Sequence, residues 1–380
     1  MDRTVFEIDP NIRRAETLST RFYAEEEYFE ASKERIFARS WQLIGRAEEV
    51  DNLLPVTLLG GFLDEPVLIS REGGELYCLS NVCTHRGNIL VEKACRARGI
   101  RCGYHGRRFA PDGKFLSMPE FEEAENFPSE KDDLPRLPLG VWEDFLFASI
   151  DPVAPLAEFI GEMESVIKGF EFEKLRFKSA RDYEVRAHWA LYCENYLEGF
   201  HIPFVHQSLN EEIDYGSYAT EVFRFSSLQT AFESGQRPAP GGQSEPRASA
   251  ESVPRAVASG SLQPTIREMA TAFSSDRAAY YFFIFPNLMF NFYPWGLSVN
   301  IVRPLAPDLS KITFLTYVSD ESKLETGAGA DLHRVEMEDE RVVENVQKGI
   351  RSRFYDRGRY SPTRERGTHH FHRLIAEFMR

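Results

Sequence analysis

Over the first fifty residues the apolar positions Phe22, Tyr28, Phe29, Ile36, Phe37 and Trp41 sit among charges at helical spacing, which predicts helix over residues 15 to 50. From Trp41 to about Pro152 the pattern becomes short apolar runs between Gly, Pro and Asp turns. Pro66-Val-Leu-Ile-Ser70 and Phe145-Leu-Phe-Ala-Ser-Ile150 are examples, and they predict an all-β module. Residues 236 to 264, rich in Pro, Gly, Ser and Ala, are expected to form a mobile insertion rather than a domain boundary. Strand-like sequence resumes beyond them at Ala278-Ala-Tyr-Tyr-Phe-Phe-Ile-Phe285. Near the C-terminus Val335, Val342, Val343, Val346 and Ile350 share one helical stripe, with Asp339 in its middle.

A chain of 380 residues has ample core for two or three domains. Its net charge of −14 argues against a nucleic-acid partner. No apolar run reaches the roughly 18 residues of a membrane span. Cys78, Cys95 and Cys193, left after the motif cysteines below, form no even disulfide framework, and Met1-Asp2-Arg3 opens no apolar signal segment. The expected compartment is reducing cytoplasm, with no membrane attachment.

Cys83-Thr84-His85 and Cys102-Gly103-Tyr104-His105, sixteen residues apart, carry the first chemistry. Two Cys-plus-His pairs suit a Rieske 2Fe-2S cluster, in which one iron takes the thiolates and the other the imidazoles. A structural zinc site also uses Cys and His, but usually pairs Cys with Cys at one end and His with His at the other. Respiratory Rieske proteins add a Cys beside each pair, where this chain has Arg86, Gly87, Tyr104 and Gly106. Arg86, Lys93, Arg96, Arg98, Arg101, Arg107, Arg108 and Lys114 face only Glu92 and Asp112 in this stretch. Such a basic rim suits an acidic electron donor or a neighbouring subunit.

The second constellation lies in Tyr192-Cys-Glu194-Asn-Tyr-Leu-Glu198-Gly-Phe-His201-Ile-Pro203-Phe-Val-His206. Continuous helix would put Glu194, Glu198 and His201 on one face, and Pro203 is expected to end that helix so that His206 returns beside His201. Two His beside a carboxylate suit mononuclear non-haem iron, which keeps positions open for O2; two unrelated histidines of a buried helix are the alternative. Asp339 is the third ligand candidate, because an acid on an apolar stripe needs a partner, either a metal or a buried arginine. Glu336, Glu338, Glu340 and Glu344 lie off that stripe and read as solvated.

With both constellations in this order, the chain resembles the oxygenase (alpha) component of Rieske non-haem iron oxygenases along nearly its whole length. The resemblance implies an α+β fold: an N-terminal antiparallel β Rieske domain and a C-terminal helix-grip catalytic domain around an antiparallel sheet. The expected division is 1–40, an N-terminal helical segment on the catalytic domain; 41–154, the Rieske domain; and 155–380, the catalytic domain. It implies cluster ligation by Cys83, His85, Cys102 and His105, and a mononuclear Fe(II) held by His201, His206 and Asp339. It also implies a homotrimer in which electrons cross between subunits through Glu198, and a ferredoxin or flavin reductase as donor. Most relatives have Asp where this chain has Glu198, a departure shared with enzymes acting on quaternary amines. The segment Tyr355-Asp-Arg-Gly-Arg-Tyr360, His369-His-Phe-His372 and Phe285-Pro-Asn287 are similar to choline monooxygenases.

A cation without hydrogen-bond donors is held best by aromatic faces. Tyr192, Tyr196, Phe200, Phe204, Tyr293 and Trp295 are the candidates for such a pocket, with core packing as the alternative use of each. The histidines at 369, 370 and 372 read as structural, and His188 and His333 have no evident partner. The expected activity is hydroxylation of a small substrate, choline or a related quaternary amine, by O2. The rivals are dioxygenation of an aromatic ring, O-demethylation of an aromatic ether, and electron transfer without catalysis.

Overall fold

A computed structural model describes residues 2–232, 277–324 and 327–380, so the insertion expected at 236 to 264 lies outside the described residues. Helical structure at the start is shorter than the periodicity predicts. Helices α1 (Arg21–Ala24) and α2 (Glu26–Ser32) continue in helical turns only to Phe37, burying Phe22, Tyr28, Phe29, Ile36 and Phe37. Gln42–Arg46 is instead strand β1, because its backbone pairs antiparallel with β9 (Phe145–Ala148). Long-range pairing overrides local helical spacing there.

The β module contains three small antiparallel sheets. β1 and β9 join β8 (Leu139–Trp142). The second sheet is β2 (Leu53–Leu58), β3 (Glu65–Glu72) and β4 (Glu75–Ser80); the third is β5 (Ile100–Arg101), β6 (Arg108–Phe109) and β7 (Phe115–Ser117). The run Pro66–Ser70 is continuously apolar because β3 has a core on each side. Successive side chains alternate across a strand. Val67 and Ile69 pack with Leu58, Cys78 and Leu146, whereas Leu68 packs with Leu79, Phe109, Cys83 and Cys102.

The C-terminal half is built on a seven-stranded antiparallel sheet. Preceded by the short helices α3 (Leu156–Ile160) and α4 (Met163–Val166), its strands are β10 (Arg176–Val185), β11 (Ala219–Val222), β12 (Ser226–Phe232), β13 (Arg277–Ile284), β14 (Leu288–Tyr293), β15 (Gly296–Ala306) and β16 (Leu309–Val318). Their order across the sheet is β10-β16-β15-β14-β13-β12-β11. Strand β14 is buried throughout, and its two faces do different work. Phe290 packs against Trp142, Phe145 and Phe147 of the β module at ring separations of 5.6, 5.4 and 6.4 Å. Asn291 and Tyr293, on the opposite face, line a cavity beneath the helices.

Those helices are α5 (Trp189–Tyr196), α6 (Ile202–Val205), α7 (Gln207–Glu212), α8 (Leu332–Gly349) and α9 (Arg366–Met379). Asp331 caps α8 by accepting from Arg334 N, and His188 caps α5 by accepting from Ala190 N. The face of α8 turned inward differs from the stripe of valines. Glu336, Val343, Gln347 and Ile350 are buried while Val346 is exposed, because polar groups of the neighbouring segment recruit the helix. His188 N donates to Gln347 Oε1 at 2.9 Å and Tyr192 OH to Glu336 Oε2 at 2.6 Å. The C-terminal segment around α9 ties the chain ends together: Arg380 donates to Phe6 O, Arg35 to Met379 O, and Arg359 to Ala15 O.

Phe290 therefore joins the β module to the large sheet. Phe290→Ala is expected to destabilise the protein by about 3–5 kcal/mol, read as a lowered denaturant midpoint; an effect below about 1 kcal/mol would mean the contact is dispensable.

Candidate metal centres

Two loops of the β module repeat one backbone design. Cys83 N donates to Asn88 O and Gly87 N to Cys83 O, at 2.8 and 2.9 Å; Cys102 N donates to Arg107 O and Gly106 N to Cys102 O, at 2.8 and 3.1 Å. Each loop turns back through a left-handed glycine, Gly87 at φ +70° and Gly106 at φ +76°, a conformation a Cβ would strain. The shared Cys-x-His-x-Gly and Cys-x-x-His-Gly spacing was the available signal for this role.

The design buries both cysteines and leaves the imidazoles outermost. Cys83 and Cys102 sit in the core with Leu68, and His105 is exposed, its ring 4.8 Å from that of His85 at 73°. Burial opposes ionisation of Cys102, but the backbone amides of Tyr104 and His105 outweigh it and lower its pKa. His85 is held neutral by burial and by His105, Arg86 and Arg107 around it. The donor set is two buried thiols, Cys102 eased toward the thiolate and Cys83 held toward the thiol by burial, and two imidazoles, which fits a cluster with one sulfur-bound and one nitrogen-bound iron.

Asp132 clamps the two loops. Its carbonyl accepts from Thr84 Oγ1 at 2.9 Å and from Arg107 at 3.1 Å, and its carboxylate accepts from Arg107 at 2.6 Å. Arg107 is thus a buried brace among Phe109, Phe115 and Phe127 rather than part of a basic rim. Arg96 and Lys114 are paired with Asp51 and Asp133. Arg86, Lys93, Arg98, Arg101 and Arg108 remain as exposed basic residues here.

The second centre forms where α5 ends. Helix does not run on through Glu198 and His201 as the spacing predicts; it stops at Tyr196. Gly199 passes so close to Tyr218 that a Cβ would lie 2.5 Å from its ring. The Glu198 carboxylate folds back onto the amides of Phe200 and His201. Glu194 consequently points elsewhere, with Oε1 2.7 Å from Tyr23 OH and 3.0 Å from His372 Nε2. Pro203 sits in the first turn of α6 rather than ending a helix, because a missing N–H costs nothing there. That single turn returns His206 to His201, their rings 5.1 Å apart at 77°.

Asp339 meets both. Its Oδ1 lies 3.0 Å from His206 Nε2 and 3.5 Å from His201 Nε2, and one donor atom from each of the three residues falls within 4.8 Å of the others. Both remote ring nitrogens are held by carboxylates at 2.7 Å, His201 Nδ1 by Glu198 Oε1 and His206 Nδ1 by Glu338 Oε2. Burial opposes a proton on His206, but Asp339 and Glu338 outweigh it and raise its pKa. Two imidazoles turned by outer carboxylates toward one inner carboxylate fit a divalent metal with open positions. Among the described residues no other group of three such donors converges in this way.

This corrects the solvated reading of Glu338 and of Glu336. Glu336 is 3% exposed, and burial raises its carboxyl well above the ordinary range despite the Tyr192 hydrogen bond. Hydrophobic periodicity could not reveal either residue, because their partners come from another segment. Glu344 likewise accepts from Arg186 N at 3.1 Å.

A cavity opens over the triad, walled by Tyr192, Tyr196, Tyr218, Tyr281, Tyr293 and Phe314. Of the aromatic candidates, Tyr192, Tyr196 and Tyr293 line it. Phe200 and Phe204 lie on the surface, Phe204 at 78% exposure, and Trp295 is buried behind Tyr293, stacked at 5.0 Å. Tyr218, Tyr281 and Phe314 were missed: strand pairing alone shows which side of the sheet Tyr281 and Phe314 occupy, and Tyr218 lies in the turn just before β11. His369 bonds Asp9 O, His372 lies between Tyr360 and Glu194, and His333 bonds Tyr183 OH. His188, buried with its pKa lowered to about 3, caps α5.

Comparison with known proteins finds a domain family for each half of the chain. Residues 172–380 match the family model of the ring hydroxylating alpha subunit (catalytic domain), and residues 40–128 match that of the Rieske [2Fe-2S] domain. The chain is 26% identical to a chloroplastic choline monooxygenase of Arabidopsis thaliana over 396 residues, covering 99% of this chain and 86% of that protein. It is 26% identical to the carnitine monooxygenase oxygenase subunit of Escherichia coli over 386 residues, covering 97% and 95%. The solved structure of the quaternary ammonium Rieske monooxygenase CntA with L-carnitine superposes with a TM-score of 0.72 at 22% identity, over 98% of this chain and all of that one. Naphthalene 1,2-dioxygenase from Rhodococcus sp. superposes with a TM-score of 0.68 at 17% identity, over 96% and 94%.

Removing the outer support of one imidazole tests the second centre. Glu338→Ala is expected to weaken retention of the divalent metal about 10–100-fold in competition with a chelator while leaving the cluster's visible spectrum intact. Unchanged retention would mean His206 needs no partner at Nδ1.

Proposed function

We propose, for a chain that belongs to the ring-hydroxylating alpha subunits with a Rieske domain, that it is a monooxygenase acting on a small quaternary amine of the choline type. The family makes it a Rieske non-haem iron oxygenase with a 2Fe-2S cluster and a mononuclear iron. Cys83, His85, Cys102 and His105 would hold the cluster, and His201, His206 and Asp339 the iron. When bound, these groups supply single electrons and O2 activation, so that one oxygen atom enters a C–H bond and the other leaves as water with two electrons and two protons.

The chain's own residues do the rest. Glu198 and Glu338 keep both Nε2 atoms turned to the metal, and Glu198 also couples the triad to the cluster of a neighbouring subunit in a homotrimer. Tyr192, Tyr196 and Tyr293 offer aromatic faces to a methylated ammonium. The division into segments 1–40, 41–154 and 155–380 follows the same reading, as do the exposed basic residues near the cluster as a dock for an acidic ferredoxin or flavin reductase. Among the described residues no helix is long and apolar enough to cross a membrane; the cytoplasm is the proposed place of work. The carrying observation is the convergence of two imidazoles and Asp339 at the floor of an aromatic cavity. It also disfavours a chain that only carries electrons.

Single turnover of the reduced protein with labelled O2 and a panel of amines and aromatics tests this reading. The expected product is a choline-type amine carrying one labelled oxygen. Coupled turnover only with carboxylated aromatics would reject the amine while leaving the oxygenase intact. Glu198→Gln is expected to keep both metals and to slow electron transfer to the mononuclear iron at least about tenfold, read by rapid-mixing spectroscopy of the cluster. Loss of the iron with fast transfer in reconstituted protein would make Glu198 a ligand instead.

A further inference from the structure

Glu336 lies one helical turn before Asp339 on α8, and it lines the cavity. Its Oε2 accepts from Tyr192 OH at 2.6 Å, which fixes the side chain. Its Oε1 is buried and has no hydrogen-bond partner. A carboxyl oxygen left unpaired in an interior is costly, and a native fold that keeps one needs a compensating group.

The remaining lining points to what that group is. Among the described residues no lysine or arginine lines the cavity. The imidazole Nδ1 atoms are already committed to Glu198 and Glu338. A bound carboxylate would find acidic neighbours, Glu336 and Asp339, and no cationic side chain on these walls; the metal at the floor would be the cation left to it, at the positions that O2 needs. A methylated ammonium would find the opposite: tyrosine faces for its methyl groups and, in Glu336, a carboxyl that burial keeps above the ordinary range when alone and that a cation beside it draws back toward the ionised form.

We propose that Glu336 is the counter-charge for the substrate's cationic head, so that the cavity takes small methylated ammonium alcohols and rejects amines that also carry a carboxylate. The inference rests on the quaternary-amine reading and narrows it. Glu336 acts here as a specificity determinant, with no part in the chemistry at the metal.

Calorimetric binding to the holoenzyme of choline, its uncharged isostere 3,3-dimethylbutan-1-ol and carnitine tests it. Wild type is expected to favour choline over each of the others by about tenfold or more, as an unscreened charge contact allows. Glu336→Gln, which keeps an acceptor for Tyr192, should lose most of the preference over the isostere while binding the isostere unchanged. Glu336→Asp should recover part of it, which a merely structural role for the side chain would not predict. If Glu336→Gln retains the wild-type preference, the assignment of Glu336 falls and the amine reading stands. If wild type shows no preference for choline over the isostere, or binds neither, both fall together. Carnitine bound as tightly as choline would overturn the rejection of carboxylates.

Discussion

The meeting of Asp339 Oδ1 with two imidazole Nε2 atoms is the constraint around which the C-terminal half is arranged. Three carboxylates, Asp339, Glu198 and Glu338, surround two histidines in a partly buried site. Negative charge at that density is unfavourable away from water unless a cation offsets it. A divalent metal is the economical solution, and the outer carboxylates then serve it by fixing ring tautomers and orientations. To reach this point α8 must lie against α5, which the Tyr192–Glu336 and His188–Gln347 bonds secure at two separate heights. The helix must also break after Tyr196, which Gly199 permits by approaching Tyr218.

The N-terminal module solves a related problem by different means. Its proposed ligands are near in sequence, so two nearly identical loops suffice, each closed by a left-handed glycine and joined by Arg107 and Asp132. With the sulfurs buried and His105 exposed, a cluster held here would present its imidazole end to the surface. Packing of Trp142, Phe145 and Phe147 on Phe290 fixes this module against the back of the sheet whose front lines the cavity. The β module and the cavity thus share one packed layer.

Much of this was legible in the sequence wherever the controlling contacts are local. The paired Cys and His motifs, the strands at 66–70 and 145–148, and Asp339 as an acid on an inward helix face all follow from short-range spacing. Errors arose where a partner far along the chain decides. Residues 42–46, where the helical window overlapped the predicted β module, became a strand because β9 pairs with them. Val346 is exposed and Gln347 buried because His188 N recruits the amide. Glu336 and Glu338 left the solvated class for the same reason, while Phe200 and Phe204 face outward because the chain had already left the helix. Polar groups buried by tertiary pairing carry no periodic signature, and they are the residues that define this cavity.

Metal stoichiometry tests the central claim most directly. Iron and acid-labile sulfide per chain would be measured in wild type and in Asp339→Ala, together with the cluster's visible and electron paramagnetic resonance spectra. The account predicts about three irons in wild type, two from the cluster and one from the triad, and about two in the variant with unchanged cluster spectra. A variant that keeps its third iron, or that loses the cluster along with it, would contradict the assignment of Asp339 as the carboxylate on which the site converges.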